Sequence, residues 1–170
     1  MAVTYTPIAT NTVTTATASY TFSSIPSTYT DLILVSSVRS TSTSLDYGPN
    51  IQLNSDTGSN YSYTYIDGNG SAATSGRSSN NTILLGGNSI PYSSSATGAF
   101  AISTVHFQNY SNTTTYKTAI TRFNDVTTSD VLAAVNLWRN TSAINSIKVF
   151  LYAGNIAVGS SFTLYGIKAA

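Results

Sequence analysis

The sequence predicts an all-β protein: a single-domain antiparallel β-sandwich, jelly-roll-like, with about eight to ten strands. Three observations carry that prediction. Glutamate is absent and Lys and Gln are scarce, whereas Thr, Val, Ile and Tyr are plentiful; this balance suits a pleated, half-buried backbone better than a helix. Short stretches of alternating apolar and polar residues recur along the chain, each bounded by Gly, Pro, Asn or Asp, which is the pattern of strands and turns. No repeat of fixed period is present, so propellers and solenoids are not expected.

Each element follows in order. Residues 1–12 are extended and β-prone, with Val3, Tyr5 and Ile8 at partly apolar positions and Pro7 barring a central strand. They are expected to form an N-terminal arm over a neighbouring subunit or an edge strand, and residues 13–170 the sandwich itself. Ala16, Ala18, Tyr20 and Phe22 alternate onto one face. After Ile25-Pro26, the run from Asp31 to Val38 contains Leu32-Ile33-Leu34-Val35, apolar on both faces. Such a strand belongs at a sheet centre or under an inter-subunit contact, and Asp31 reads as a cap on the preceding turn. Ile51 and Leu53 mark a short strand, and Tyr61, Tyr63 and Tyr65 share a face before the turn Asp67-Gly68-Asn69-Gly70. Residues 67–80, rich in Gly, Ser and Asn, read as a loop. Ile83 to Leu85, Phe100 to Phe107, Tyr116 to Phe123, Ile147 to Tyr152 and Phe162 to Ile167 complete the strands. The segment 129–139 is ambiguous. Val131, Leu132, Val135 and Trp138 fit helical spacing behind Ser129 or Asp130, but Ala133, Val135 and Leu137 alternate as a strand would. The strand is preferred in so uniformly β a chain.

Composition narrows the function. The chain has 170 residues, enough for one domain with a sizeable core, and 41% of them are hydrophobic. Only 8% are charged, against about 25% in an ordinary domain, and about a third are Ser or Thr. Net charge is +1, from six aspartates and seven thinly spread bases: Arg39, Arg77, Lys117, Arg122, Arg139, Lys148 and Lys168. Phosphate backbones require clustered cations, so no nucleic-acid partner is expected. Without cysteine there is no disulfide and no thiolate chemistry. No apolar run approaches the roughly 20 residues of a membrane span, and "MAVTYTPIAT" lacks the basic and apolar regions of a secretory signal. The expectation is synthesis in a cytoplasm without export by the standard route, and no membrane partner. Low charge on a strand-rich surface also favours association.

Catalytic, cofactor and metal sites are not expected. His106 is the only histidine; as a general base or ligand it would need partners, and it reads more simply as a sheet residue sharing a face with Ile102 and Thr104. No Gly-x-Ser-x-Gly elbow accompanies it. Asp67 to Gly70 lacks the bidentate Glu of a calcium loop and reads as a turn. Glycoside hydrolysis needs two carboxylates flanking a cleft, but Asp31, Asp46, Asp56, Asp67, Asp125 and Asp130 mostly sit in turn-like contexts. A depolymerising enzyme would require two of them, such as Asp125 and Asp130, to face each other. The remaining signal is aromatic. Twelve tyrosines outnumber six acids, and rigid, amphipathic tyrosine suits sugar or protein contacts. Tyr61, Tyr63 and Tyr65 form a stripe, either core or contact, while Tyr5, Tyr29, Tyr47, Tyr92 and Tyr110 fall in apparent loops. The candidates for partner or glycan contact are Tyr5, Tyr47, Tyr61, Tyr63 and Tyr65.

The stretches "SYTFSSIPSTYTDLILVSSVRS", "IQLNSDTGSNYSYTYIDGNGSAATSGRSSN" and "NLWRNTSAINSIKVFLYAGNIAVGSSFTLYGIKAA" resemble small virion-associated proteins of tailed phages, above all those infecting marine bacteria and cyanobacteria. The likeness covers nearly the whole chain and is most specific over Phe22 to Leu34, Asn54 to Tyr63 and Gly159 to Ile167. It implies a virion component and a β-sandwich, and brings no catalytic motif. The short chain departs from a long tail fibre with a shaft. The leading expectation is therefore a capsid decoration (cement) protein, docked on the major capsid protein and on other copies of itself as a homotrimer. The alternative is a tail-fibre or spike head domain that binds a host-surface glycan or receptor.

Overall fold

A computed structural model of the chain describes residues 4–168. Residues 1–3 of the expected arm, Val3 among them, lie outside that range. Fourteen strands and no helix occur among the described residues: β1 (Tyr5–Thr12), β2 (Ser19–Phe22), β3 (Asp31–Val38), β4 (Asp46–Tyr47), β5 (Asn50–Leu53), β6 (Tyr61–Gly68), β7 (Ala73–Asn81), β8 (Leu84–Leu85), β9 (Ser89–Ile90), β10 (Ala101–Gln108), β11 (Lys117–Asp125), β12 (Asp130–Trp138), β13 (Ile147–Phe150) and β14 (Ser161–Ile167). They form an eight-stranded sheet in the order β1-β14-β3-β10-β11-β12-β6-β7, a four-stranded sheet β2-β13-β5-β8, and a small β4-β9 pair. Every pairing is antiparallel. The all-β sandwich is thus observed. Its division of eight strands against four is not the even split of a jelly roll.

The core lies between the two large layers. Alternation along β3, β10, β11, β12 and β14 turns Leu32, Leu34, Val105, Phe107, Ala119, Phe123, Leu132, Ala134, Trp138, Phe162 and Leu164 inward. Phe22, Ile51, Leu53, Ile147 and Val149 meet them from the small sheet. Leu32-Ile33-Leu34-Val35 sits within the large sheet, between β14 and β10. Leu32 and Leu34 are buried, while Ile33 and Val35 point to the outer face. Segment 129–139 contains β12, so the alternating reading of Ala133, Val135 and Leu137 is the one realised.

Two expectations change. Residues 67–80 are not a loop: most of them form β7, the edge partner of β6. Asn69 closes the connection by accepting the Ser71 and Ala72 N–H groups through Oδ1 at 3.1 and 2.9 Å, with Gly70 at φ +82°. An edge strand polar on both faces carries no apolar period, which is why composition hid it. Tyr110 is not an exposed loop residue either. It is fully buried, and its hydroxyl donates to the Pro26 carbonyl. Tyr29 is likewise half-buried, its ring lying against Gly166, where a Cβ would collide with it. At the other edge, β1 pairs with β14, and a register shift between Pro7 and Ala9 interrupts the ladder where proline has no N–H to give.

Candidate binding groove

The eight-stranded sheet is wider than the four-stranded sheet facing it, so β6 and β7 overhang the edge strand β8. Alternation on β6 puts Tyr61, Tyr63, Tyr65 and Asp67 on one face, but the overhang divides them. Tyr61 lies under the small sheet and is fully buried, stacked on Trp138 with ring centroids 6.3 Å apart. Its hydroxyl accepts the Leu53 N–H at 3.1 Å and donates to the Asp56 carbonyl at 2.9 Å. Burial pushes its phenol up to about 12. Tyr61 is a core residue, which corrects its place among the contact candidates. Tyr63 and Tyr65 stand past the edge of β8, half-buried, with centroids 6.2 Å apart and planes tilted by 46°.

These two rings form one wall of a groove of about 600 Å³. The Tyr65 ring lies flat across β7, because its cross-strand partner is Gly76; a Cβ there would come within 2.6 Å of the phenol oxygen. The other wall is the outward face of the small sheet. Phe150, Asn50 and Leu85 form one cross-strand row on it, with Gln52 one step along. Tyr47 and Tyr152 close one end, edge to face, with centroids 6.4 Å apart. The Tyr152 N–H donates to the Tyr47 carbonyl at 3.0 Å, and the Tyr152 side chain is 78% exposed. Asp67, Asn81, Thr82 and Asn88 complete the polar lining.

The groove's amides are incompletely used. Gln52 donates to the Thr82 carbonyl at 3.1 Å. Asn50 is 7% exposed and turns its amide to the groove. The Asn81 Nδ2 is buried without a partner. Buried polar groups are normally satisfied, and an orphan costs about 1–3 kcal/mol; this one borders the concavity. Among the described residues Asp67 is the one charged residue of the lining, and Thr74 donates to it across the β6–β7 hairpin. Lys148 stands outside, 5.2 Å over the Phe150 ring. Aromatic faces present flat apolar surface to the C–H face of a sugar ring, and amides can give and accept hydrogen bonds with vicinal hydroxyls. A groove of this make-up is suited to an uncharged polyol.

The other candidate groups lie elsewhere. Tyr5 sits on β1, at the opposite edge of the large sheet from β7. The structure therefore brings together Tyr47, Tyr63 and Tyr65 but not Tyr5 or Tyr61. Sequence reasoning missed Tyr152, Asn50, Gln52 and Asn81. Tyr152 had a signal, since Lys148, Phe150 and Tyr152 alternate with the buried Ile147, Val149 and Leu151. His106 is on the outer face of the large sheet, its Nε2 3.0 Å from Asp31 Oδ2. Asp31 is not a cap on the turn before it: it begins β3 and accepts the Asn109 N–H at 2.7 Å.

All six aspartates have partners within the fold. Asp46 is buried and accepts from Ser40 and from the Tyr47, Ala153 and Gly154 N–H groups. Asp56 accepts from Gly58, Asn60 and Trp138, Asp125 from Thr127 and Thr128, and Asp130 from Ser89. Burial works to raise the Asp56 carboxyl, but its hydrogen bonds from Trp138, Asn60 and Gly58 outweigh it and hold the group below its ordinary value. Lys117 is buried too; its ammonium donates to the Thr115 and Thr141 carbonyls at 2.8 and 3.0 Å, and burial lowers its pKa. No cluster of three metal-ligating side chains occurs among the described residues. No protein-family model matches the chain, and no curated protein matches it in sequence.

Proposed function

We propose that this chain is a phage virion protein of the fibre-head or spike type, whose tyrosine-lined groove binds an uncharged host-surface glycan without cleaving it. The observation that carries this reading is the convergence of Tyr47, Tyr63, Tyr65 and Tyr152 on a concavity lined by the amides of Asn50 and Gln52 and by Asn81, whose Nδ2 is unpartnered. Engagement of all six aspartates in turns and strand ends supports binding over hydrolysis. The virion setting rests on the sequence resemblance. A glycan array with the isolated protein, repeated with Tyr63→Ala and Tyr152→Ala, tests it. Specific retention of neutral oligosaccharides that both variants lose is the expected result, and no retention of any glycan overturns it.

A second reading, a capsid decoration protein bound to the major capsid protein as a homotrimer, is favoured by the broad, charge-poor outer face of the eight-stranded sheet. Copy number in purified particles separates the two. Hundreds of copies per virion support decoration; a few tens or fewer support an adsorption module.

A further inference from the structure

The four-stranded sheet covers one face of the large sheet, and the other face is open. Antiparallel register places its outward residues in rows across six strands from β3 to β7. One row runs Val35, Thr104, Arg122, Ala133, Ile66 and Ser75; the next runs Ile33, His106, Ile120, Val135, Thr64 and Arg77. Ile102 and Val131 begin a third row on β10 and β12, with Asn124 between them. Val35, Ile66, Ile102, Ile120, Val131 and Val135 all belong to this face, with Ile66 63% and Val131 60% exposed. Water-facing positions of a one-sided sheet ordinarily alternate to polar residues. Here Val or Ile occupies them on five successive strands, β3, β10, β11, β12 and β6, with Ser, Thr and Ala between them.

We propose that this outer face is an interface between copies of the chain, two sheets packing face to face. Three observations select a second copy as the occupant. The first is area. Six strands about 4.8 Å apart and about eight residues long at 3.3 Å each project about 750 Å², close to the roughly 800 Å² per partner of a stable interface; accessible area exceeds the projection because side chains stand off the sheet. The second is charge. Asp31 lies 3.0 Å from His106, and the other charged residues of these rows, among the described residues, are Arg77 and Arg122, so each copy brings few charges to the contact. The third is shape. Single-branched and small residues on a twisted sheet offer the same relief on both partners, and aligned sheets pack this way at about 10 Å separation. Tyr63 and Tyr65 point away from this face, so association leaves both grooves open and presents the two at once. Multivalent presentation raises avidity for a weakly bound glycan without any new contact. The proposal does not depend on the glycan reading.

The test is sedimentation velocity of the full chain from 1 to 100 µM, alongside Val131→Lys/Val135→Lys and, as a groove control, Tyr152→Ala. A concentration-dependent assembly that the lysine variant abolishes and the control keeps is the expected outcome. Because the chain has no cysteine, Thr104→Cys supplies an independent readout that needs no disruptive change. Its thiol should react with a maleimide at least tenfold more slowly at 100 µM protein than at 1 µM. A wild-type chain that stays at its 17.9 kDa monomer mass throughout, an assembly unaffected by the lysines, or a thiol equally reactive at both concentrations overturns the interface.

Discussion

Asn136 holds the edge of the small sheet from the floor of the large one: its Oδ1 accepts the Leu85 N–H at 2.8 Å and its Nδ2 donates to the Leu85 carbonyl at 3.2 Å. Thr121, beside it on β11, adds a 2.7 Å bond to the same carbonyl and accepts from Asn136 Nδ2 at 3.1 Å. Ser103 on β10 donates to the next carbonyl, that of Gly86. A row of polar residues inside an otherwise apolar face thereby satisfies the backbone groups that β8 turns away from β5. Without it a two-residue edge strand would bury an unpaired peptide. It also fixes where the small sheet stops, and hence where the groove begins.

Replacing Asn136 by Leu removes both amide contacts inside the core and orphans the Leu85 N–H. The expected loss is about 2–4 kcal/mol, one to two unsatisfied groups at about 1–3 kcal/mol each. Thr121→Val leaves the Leu85 carbonyl with Asn136 and should cost about 1 kcal/mol. Urea denaturation of the two variants checks the ordering; equal losses would mean that Thr121 carries the contact.

Gly76 gives a way to alter the groove without touching a lining side chain. A methyl at this position meets the Tyr65 ring at 2.6–2.8 Å, so Gly76→Ala should swing the ring off β7 and into the concavity. At an edge strand with open solvent nearby the fold should lose no more than about 1 kcal/mol. Glycan affinity is expected to fall at least tenfold, close to the effect of Tyr65→Ala, by calorimetric titration. Unchanged affinity would show that Tyr65 is not a contact.

The hydrophobic period made most of the large sheet legible. Leu32 and Leu34, Val105 and Phe107, Phe162 and Leu164 announced strands because each alternates an apolar residue into one core. β7 escaped because Ala73–Asn81 has no apolar face to announce it; its register comes from β6 and the Asn69 turn. The groove was half legible for a related reason. Tyrosine alternation placed Tyr61, Tyr63 and Tyr65 on one face, but nothing local to β6 says that the covering sheet ends between Tyr61 and Tyr63. That boundary is set by Asn136 and Leu85, 51 residues apart in sequence, and pairings at such distance leave no mark on a single segment.

Asp56 should dominate a fluorescence-detected acid transition. Its carboxylate accepts the Trp138 indole N–H at 2.7 Å, and Trp138 is the only tryptophan. Its folded pKa lies below the ordinary value of 3.8, so the unfolded chain takes up its proton first. The stabilisation is therefore complete above pH 3.8 and is lost as pH falls through the folded value. Asp56→Asn should lower stability at neutral pH and flatten the dependence below pH 4. An acid limb of the same slope in the variant would assign it to another carboxylate.

Tyr61 reverses that sign at the alkaline end. Burial favours its neutral phenol and raises its pKa from 10.0 to about 12, so between these values the folded chain keeps a proton that the unfolded chain has lost. Stability contributed by this group is full below pH 10 and declines as pH rises from 10 towards 12. Absorbance at 295 nm should show the buried Tyr61 and Tyr110 ionising above the exposed tyrosines, since burial raises both phenols, and Tyr61→Phe should remove one phenol from that late step. The same variant orphans the Leu53 N–H, which donates to the Tyr61 hydroxyl at 3.1 Å, at a cost of about 1–3 kcal/mol. Loss of stability at pH 7 together with a shallower alkaline decline distinguishes a buried phenol that anchors β5 to β6 from a groove residue. Glycan binding by folded Tyr61→Phe should match the wild type; a tenfold loss would return Tyr61 to the contact surface.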